Sequence, residues 1–254
     1  MSKKTGTTKG GNTGKPGGNV SRPDLVDQIN KDPLAEPVKE TIEEFNNRIA
    51  DHMADIEVKP AITHERWEQA QKAEREQHAM DVIEGAIHYG RAYKNYFKYL
   101  GLGNNLHGLN VIEVGPAGFP ALATCVNWGT AIIVEPMVSE ILLNTCKEYG
   151  FELCDIPFES IEFKEQSGIT EVWLLNVMQH VIDPEAFIQK AKQVADRIRF
   201  FEPIDQPVTS YHPHTYSLKD YQRWFGGCVN LYVGGSTEGF HQADCAYGVW
   251  VKEQ

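Results

Sequence analysis

From Asn110 onward the chain alternates between two hydrophobic periods, and this limits the fold more than any other feature of the sequence. Short apolar runs at 110–114, 131–134, 151–154, 171–175 and 197–201 have the length and composition of strands. Between them lie helical patterns at 120–127, 138–149 and 184–195, the last opened by Asp183-Pro184 with proline at the first helical position. Strands separated by helices pair in parallel and are covered on both faces. Ser217 is placed to cap a further helix through Phe225. Two last strands, Val229–Val233 and Ala246–Val251, flank Gly234-Gly235 and Gly239, a loop composition that suits a hairpin and brings in an antiparallel strand. The expectation is an α/β protein with a mostly parallel, seven-stranded open sheet.

The segment before Asn110 reads as all helix. Residues 64–78 follow a break at Lys59-Pro60 and a capping Thr63. A second helix runs through Ile83, Ile87, Tyr93, Phe97 and Leu100 and stops at Gly101-Leu-Gly103. Further upstream, Val38, Ile42, Phe45, Ile49, Met53 and Ile56 recur at steps of three and four and form one apolar stripe. That stripe docks on the main domain or pairs with a second chain, which would give a homodimer through the 36–56 helix. Residues 1–22 are Gly, Lys, Thr, Asn and Ser with little to bury, and are expected to be disordered. The domain reading is therefore a basic tail (1–22), an amphipathic helical arm (23–62), and a main domain (63–254) whose first helices (63–100) form a lid.

Charge and cysteine usage exclude several functional classes. The 254 residues carry a net charge of −11, but the first 22 hold five Lys/Arg and no acid, leaving about −16 on the rest. Such a body repels a phosphate backbone and disfavours bulk nucleic acid as a partner. No apolar run is long enough to span a bilayer, and no apolar core follows the N-terminal lysines as a secretory leader would require. Cys125, Cys146, Cys154, Cys228 and Cys245 show neither a C-x-x-C pair nor metal-ligand spacing. They are read as free thiols of a cytoplasmic protein, with no metal centre.

In an open parallel sheet, ligands bind beyond the carboxyl ends of the strands. The first strand ends in Glu113-Val-Gly115-Pro116-Ala117-Gly118, where glycine lets backbone approach a ligand closely. The second ends in Glu135, 20 residues beyond Gly115, where a carboxylate can accept hydrogen bonds from both hydroxyls of a ribose.

These residues carry a resemblance. Glu113-Val-Gly-Pro-Ala-Gly-Phe119 with Glu135-Pro136 resembles the first two motifs of the class I S-adenosylmethionine-dependent methyltransferases, whose core is Rossmann-like. Asn176-Val-Met-Gln-His180-Val-Ile-Asp183-Pro184 is similar to their strand-four motif, and His212-Pro-His214-Thr-Tyr-Ser217 to their late region. Trp67-Glu-Gln-Ala-Gln71 with Glu74 is similar to an N-terminal helix of a bacterial branch. The resemblance spans about residues 64–252 and its motifs stand in the family's order.

It implies S-adenosyl-L-methionine as cofactor. Glu113 and Gly115 would lie near its methionine part, with Pro116 and Ala117 also binding it, Glu135 at its ribose and Asp155 beside adenine, while Asn176, or the backbone beside it, would line the cofactor under strand four. It also implies methyl transfer to an acceptor, expected to be a small molecule, with His180 the candidate general base; His212 and His214 face the same end with a base, metal or packing role. One departure stands out: where the family places alternating glycines, this chain has Ala117 and Phe119, with Gly118 out of phase. A non-catalytic scaffold or regulatory subunit on a degenerate methyltransferase fold is the alternative. A nicotinamide dehydrogenase would require G-x-G-x-x-G, which is missing.

Overall fold

The computed structural model describes residues 58–77, 82–163, 168–235 and 242–253, without the side chains of 77, 82–89 and 91. The expected tail at 1–22 and the 36–56 stripe, with the homodimer read from it, lie outside these residues, as does Gly239. The described part falls within one compact unit, residues 56–254.

Two helices lead in, α1 (His64–Gln77) and α2 (Val82–Leu100). The sheet follows as β1 (Asn110–Val114), β2 (Ala131–Val134), α3 (Glu140–Tyr149), β3 (Glu152–Cys154), β4 (Thr170–Leu175), α4 (Pro184–Val194), β5 (Arg197–Pro203), α5 (Leu218–Phe225), β6 (Val229–Tyr232) and β7 (Cys245–Val251). Its seven strands are ordered β3-β2-β1-β4-β5-β7-β6. β1 to β5 are parallel, and β7 runs antiparallel between β5 and β6. The expected architecture is the observed one. The chain leaves β1 toward β2 and β3, then crosses back to β4 on the other side, so the crevice where strand order reverses opens between β1 and β4.

Both faces of the sheet are packed, as alternate residues of one strand require. Ile112, Val114, Val172, Leu174 and Phe200 meet α4 and α5 through Phe187, Ile188, Tyr221 and Trp224. Val111, Ile133, Trp173 and Phe201 meet α2 and α3 through Tyr93, Phe97, Leu142 and Cys146. At the amino end of the sheet the fully buried Glu171 is held by Arg199 at 2.7 Å, and Arg199 also donates to the Leu100 carbonyl that ends α2.

Local chemistry sets the helix ends. Ser139 caps α3 through the Leu142 amide, Asp183 caps α4 through Ala186, and Ser217 with Asp220 forms a capping box on α5. One expected helix is corrected. After β1 the chain makes only a 3-10 turn, Ala121–Thr124, where a helix to residue 127 was expected. Cys125 turns extended, Asn127 takes a positive φ, and Val126 exchanges backbone hydrogen bonds with Asn104 and Leu106. Pairing with the α2–β1 connection replaces the helical bonds that residues 125–127 would have made.

α1 is fastened across the carboxyl ends of β4 and β5. Arg66 donates to the carbonyls of Thr209 and Ser210, the Trp67 indole N–H to the His180 carbonyl at 2.8 Å, and the Ile62 amide to the Ile182 carbonyl.

Candidate functional site

A cavity of about 810 Å³ opens at the carboxyl ends of β1, β2 and β4, beneath α1. This lies within the range of small-molecule sites. Its wall takes in the turn after β1, the residues after β2 and β4, the 3-10 turn at Phe158–Ser160, and side chains from α1 and α2.

Gly115 turns at φ 66°, and a Cβ there would stand 2.3 Å from Val177 Cγ2. Only glycine lets the β1 turn and the β4 turn touch in this way. Ala117, at φ 54°, holds the left-handed conformation without being glycine. Its amide donates to Glu135 Oε2 at 3.1 Å, and the Met137 amide donates to the other oxygen at 2.8 Å. Glu135 therefore braces the altered glycine turn from the end of β2. Burial pushes its carboxyl up to about 7 against these two hydrogen bonds; Glu74 raises it further and His180 lowers it.

Glu113 also lines the cavity but is turned beneath the loop. Its two oxygens accept the Ala121 and Leu122 amides at 2.7 and 2.9 Å, and burial raises it to about 7. Glu202, which the strand reading left beyond β5, does the same for the next turn. It is fully buried and accepts the Val177 and Met178 amides at 3.0 and 3.1 Å, with burial again raising it to about 7. The loops after β1 and β4 are thus each clamped from below by a buried carboxyl group.

Of the residues singled out by sequence, Glu113, Gly115, Pro116, Ala117, Glu135, Asn176, His180 and His212 come together on the cavity wall. Asn176 takes φ 65° and presents an exposed side chain there. Asp155 does not join them. It is exposed and outside the wall, which Pro157, Phe158 and Glu159 reach instead once the chain has turned. His214 is buried behind the site with Nε2 2.9 Å from the Val181 carbonyl, and burial lowers its proton affinity, as suits a packing histidine. Among the described residues no three His, Cys, Asp or Glu side chains gather as a metal site requires.

His180 stands at the join of α1 and the β4 loop. Its Nδ1 is 3.0 Å from Glu74 Oε2, and the His212 ring meets it edge-on at 4.8 Å between centroids. Burial disfavours the charged ring. The Glu74 hydrogen bond and charge, with Glu202 and the Tyr211 backbone, outweigh that and raise its pKa above the ordinary histidine value. Gln71 and Glu74 of α1, which the sequence offered only as part of a helix similar to that of a bacterial branch, also line this cavity. Their signal is the spacing Trp67, Gln71, Glu74, which sets all three on one helix face.

No protein-family model and no curated protein matches the sequence. Similarity appears in three dimensions. The N-methyltransferase NodS from Bradyrhizobium japonicum WM9, in complex with S-adenosyl-L-homocysteine, superposes with a TM-score of 0.53 at 8% identity, over 73% of this chain and all of that one. The Burkholderia thailandensis 1,6-didemethyltoxoflavin-N1-methyltransferase, with bound 1,6-didemethyltoxoflavin and S-adenosylhomocysteine, gives 0.52 at 10% identity, over 78% of this chain and 94% of that one. At such identities the likeness is one of fold. Among the described residues no helix is long and apolar enough to cross a membrane. The strand order, the reversed β7 and these superpositions together show that the chain has the Rossmann-like fold of the class I S-adenosylmethionine-dependent methyltransferases.

Proposed function

We propose that this protein binds S-adenosyl-L-methionine and transfers its methyl group to a small-molecule acceptor. The observation that carries the reading is Glu135, a buried carboxyl group at the end of β2 that is hydrogen-bonded to the glycine turn after β1 and, with it, lines a cavity of about 810 Å³. The residues fit the cofactor: Gly115 brings backbone to the wall where a Cβ has no room, and Glu135 offers two oxygens to a ribose. Both fold neighbours hold S-adenosylhomocysteine. In this reading the adenine lies against Pro157, Phe158 and Glu159, which line the cavity where Asp155 does not.

When bound, S-adenosylmethionine supplies a methyl group already made electrophilic by its sulfonium. The protein's task is then to position the acceptor and exclude water. α1 closes the cavity through Arg66 and Trp67, which favours a small acceptor over a macromolecular one. His180 is assigned the handling of the proton. Its Nδ1 faces Glu74, so the ring is cationic below its raised pKa and takes a proton from an acceptor hydroxyl or N–H only above it.

The left-handed Ala117 is the observation that favours a non-catalytic scaffold instead, because alanine at φ 54° shows a turn departing from the glycine pattern. Calorimetric titration of the purified protein with S-adenosylmethionine, S-adenosylhomocysteine and NAD decides. Micromolar binding of the first two, lost in Glu135→Ala, supports the enzyme. Absence of both moves the assignment to the scaffold, and binding of NAD alone to a dehydrogenase.

A further inference from the structure

The face that α1 turns to the cavity carries Trp67, Gln71 and Glu74. Two of these are committed within the protein, the Trp67 indole N–H to the His180 carbonyl and the Glu74 carboxylate to the His180 ring. Gln71 is not. It is 8% exposed, lines the cavity, and has no hydrogen-bond partner among the described residues. Its carboxamide faces the cavity, so a ligand of matching pattern can take up both its donor and its acceptor in exchange for water. One carbonyl and one amino group side by side match an adjacent donor and acceptor, as at the edge of an amide or lactam.

The surroundings narrow the ligand further. Tyr93 and Tyr96 of α2, both buried, join Trp67 on the cavity wall and suit a flat ring. Among the described residues four carboxyl groups (Glu74, Glu113, Glu135, Glu159) line the cavity, and the sole Lys/Arg on its wall is Arg75, which is exposed. An anionic ligand would meet these acids with one cation placed in solvent and the His180 ring already faced by the Glu74 carboxylate.

We propose that Gln71 is the acceptor-recognition residue of this site and that the acceptor is an uncharged, flat heterocycle presenting an amide-like edge, not an anion. The assignment rests on the methyltransferase reading and gives its unidentified acceptor a chemical class.

The test uses full-length protein saturated with S-adenosylhomocysteine and two ring systems of equal size, neutral 2-quinolone and anionic 2-naphthoate, followed by NMR shift titration. 2-Quinolone is expected to bind at least tenfold more tightly than 2-naphthoate. Gln71→Leu, which keeps the side-chain volume, should weaken 2-quinolone about tenfold while S-adenosylhomocysteine affinity stays within about twofold. Gln71→Glu, of the same shape but without the donor, should weaken it likewise. Equal binding of the two rings, no binding of 2-quinolone, or an unaltered Gln71→Leu overturns the inference and shows the carboxamide bonded to solvent only. A parallel loss of S-adenosylhomocysteine in Gln71→Leu moves Gln71 to the cofactor and leaves the methyltransferase reading standing. If the wild-type protein fails to bind S-adenosylhomocysteine, that reading falls first and this one with it.

Discussion

Glu135 Oε2 accepts the backbone N–H of Ala117 at 3.1 Å, so the acid that ends β2 also holds the turn that ends β1. Burial raises this carboxyl to about 7, so its charge changes within the range of ordinary buffers. A carboxylate accepts from two ribose hydroxyls, whereas a protonated carboxyl has lost part of that capacity. S-adenosylhomocysteine affinity should therefore be level above pH 7 and fall as pH drops through it. Calorimetry between pH 5.5 and 8.5 measures this, and Glu135→Gln should give weaker binding with a flatter profile.

The Glu74–His180 pair predicts a second pH effect of opposite origin. With Glu74 present the ring keeps its proton to higher pH than an ordinary histidine. Glu74→Gln removes both the charge and the charged acceptor and leaves burial, which disfavours the imidazolium. The His180 pKa should fall, read directly by nitrogen-detected NMR of the imidazole. Once an acceptor is known, the rising limb of the rate profile should move to lower pH in the same variant. An unmoved ring titration would show that the two groups do not share a proton.

How far the sequence reveals such arrangements depends on the range of the interactions involved. Strand ends and two of the caps were legible because their causes are local: apolar runs bounded by glycine, Asp183 before Pro184, Ser217 before the helix through Phe225. The helix after β1 was misjudged because residues 104–106, far away in sequence, offered Val126 better partners. Glu135 could be singled out as a lone acid ending an apolar strand. The spacing of Gln71 and Glu74 sets them on one helix face with Trp67, but what that face meets is decided only when α1 docks on His180, more than 100 residues later. Glu159 lines the cavity and Asp155 does not, because the chain turns through a short 3-10 segment whose sequence, Phe-Glu-Ser, carries no strong turn signal.

Glu202 allows a stability test separate from ligand binding. Its folded value near 7 exceeds the ordinary 4.5, so between these limits the native state binds more protons than the unfolded chain. Its contribution is therefore fully present below pH 4.5 and is lost as pH rises to about 7. Denaturant unfolding at pH 5 and pH 7.5 should show a smaller loss across this window in Glu202→Gln than in wild type. Glu202→Ala, which orphans the Val177 and Met178 amides, should cost roughly 1–3 kcal/mol per amide at either pH.

The contact between Gly115 and Val177 gives the sharpest steric prediction. An alanine Cβ at 115 would lie 2.3 Å from Val177 Cγ2, and at φ 66° it would also be strained by about 1–2 kcal/mol. Neither turn can yield readily, because Glu135 and Glu202 hold them from below. Gly115→Ala should therefore lower stability and abolish S-adenosylhomocysteine binding. Shortening the neighbour removes the 2.3 Å contact but leaves the Val177 Cβ position at 3.1 Å and the backbone strain. The double variant Gly115→Ala with Val177→Ala should recover part of the binding, while Val177→Ala alone weakens the protein by a cavity cost of about 1–3 kcal/mol. Denaturant unfolding and calorimetry on the four proteins of this cycle yield the coupling between the two positions. A coupling near zero would mean that the β1 and β4 turns do not press against each other in solution, and the close approach assigned to Gly115 would fail with it.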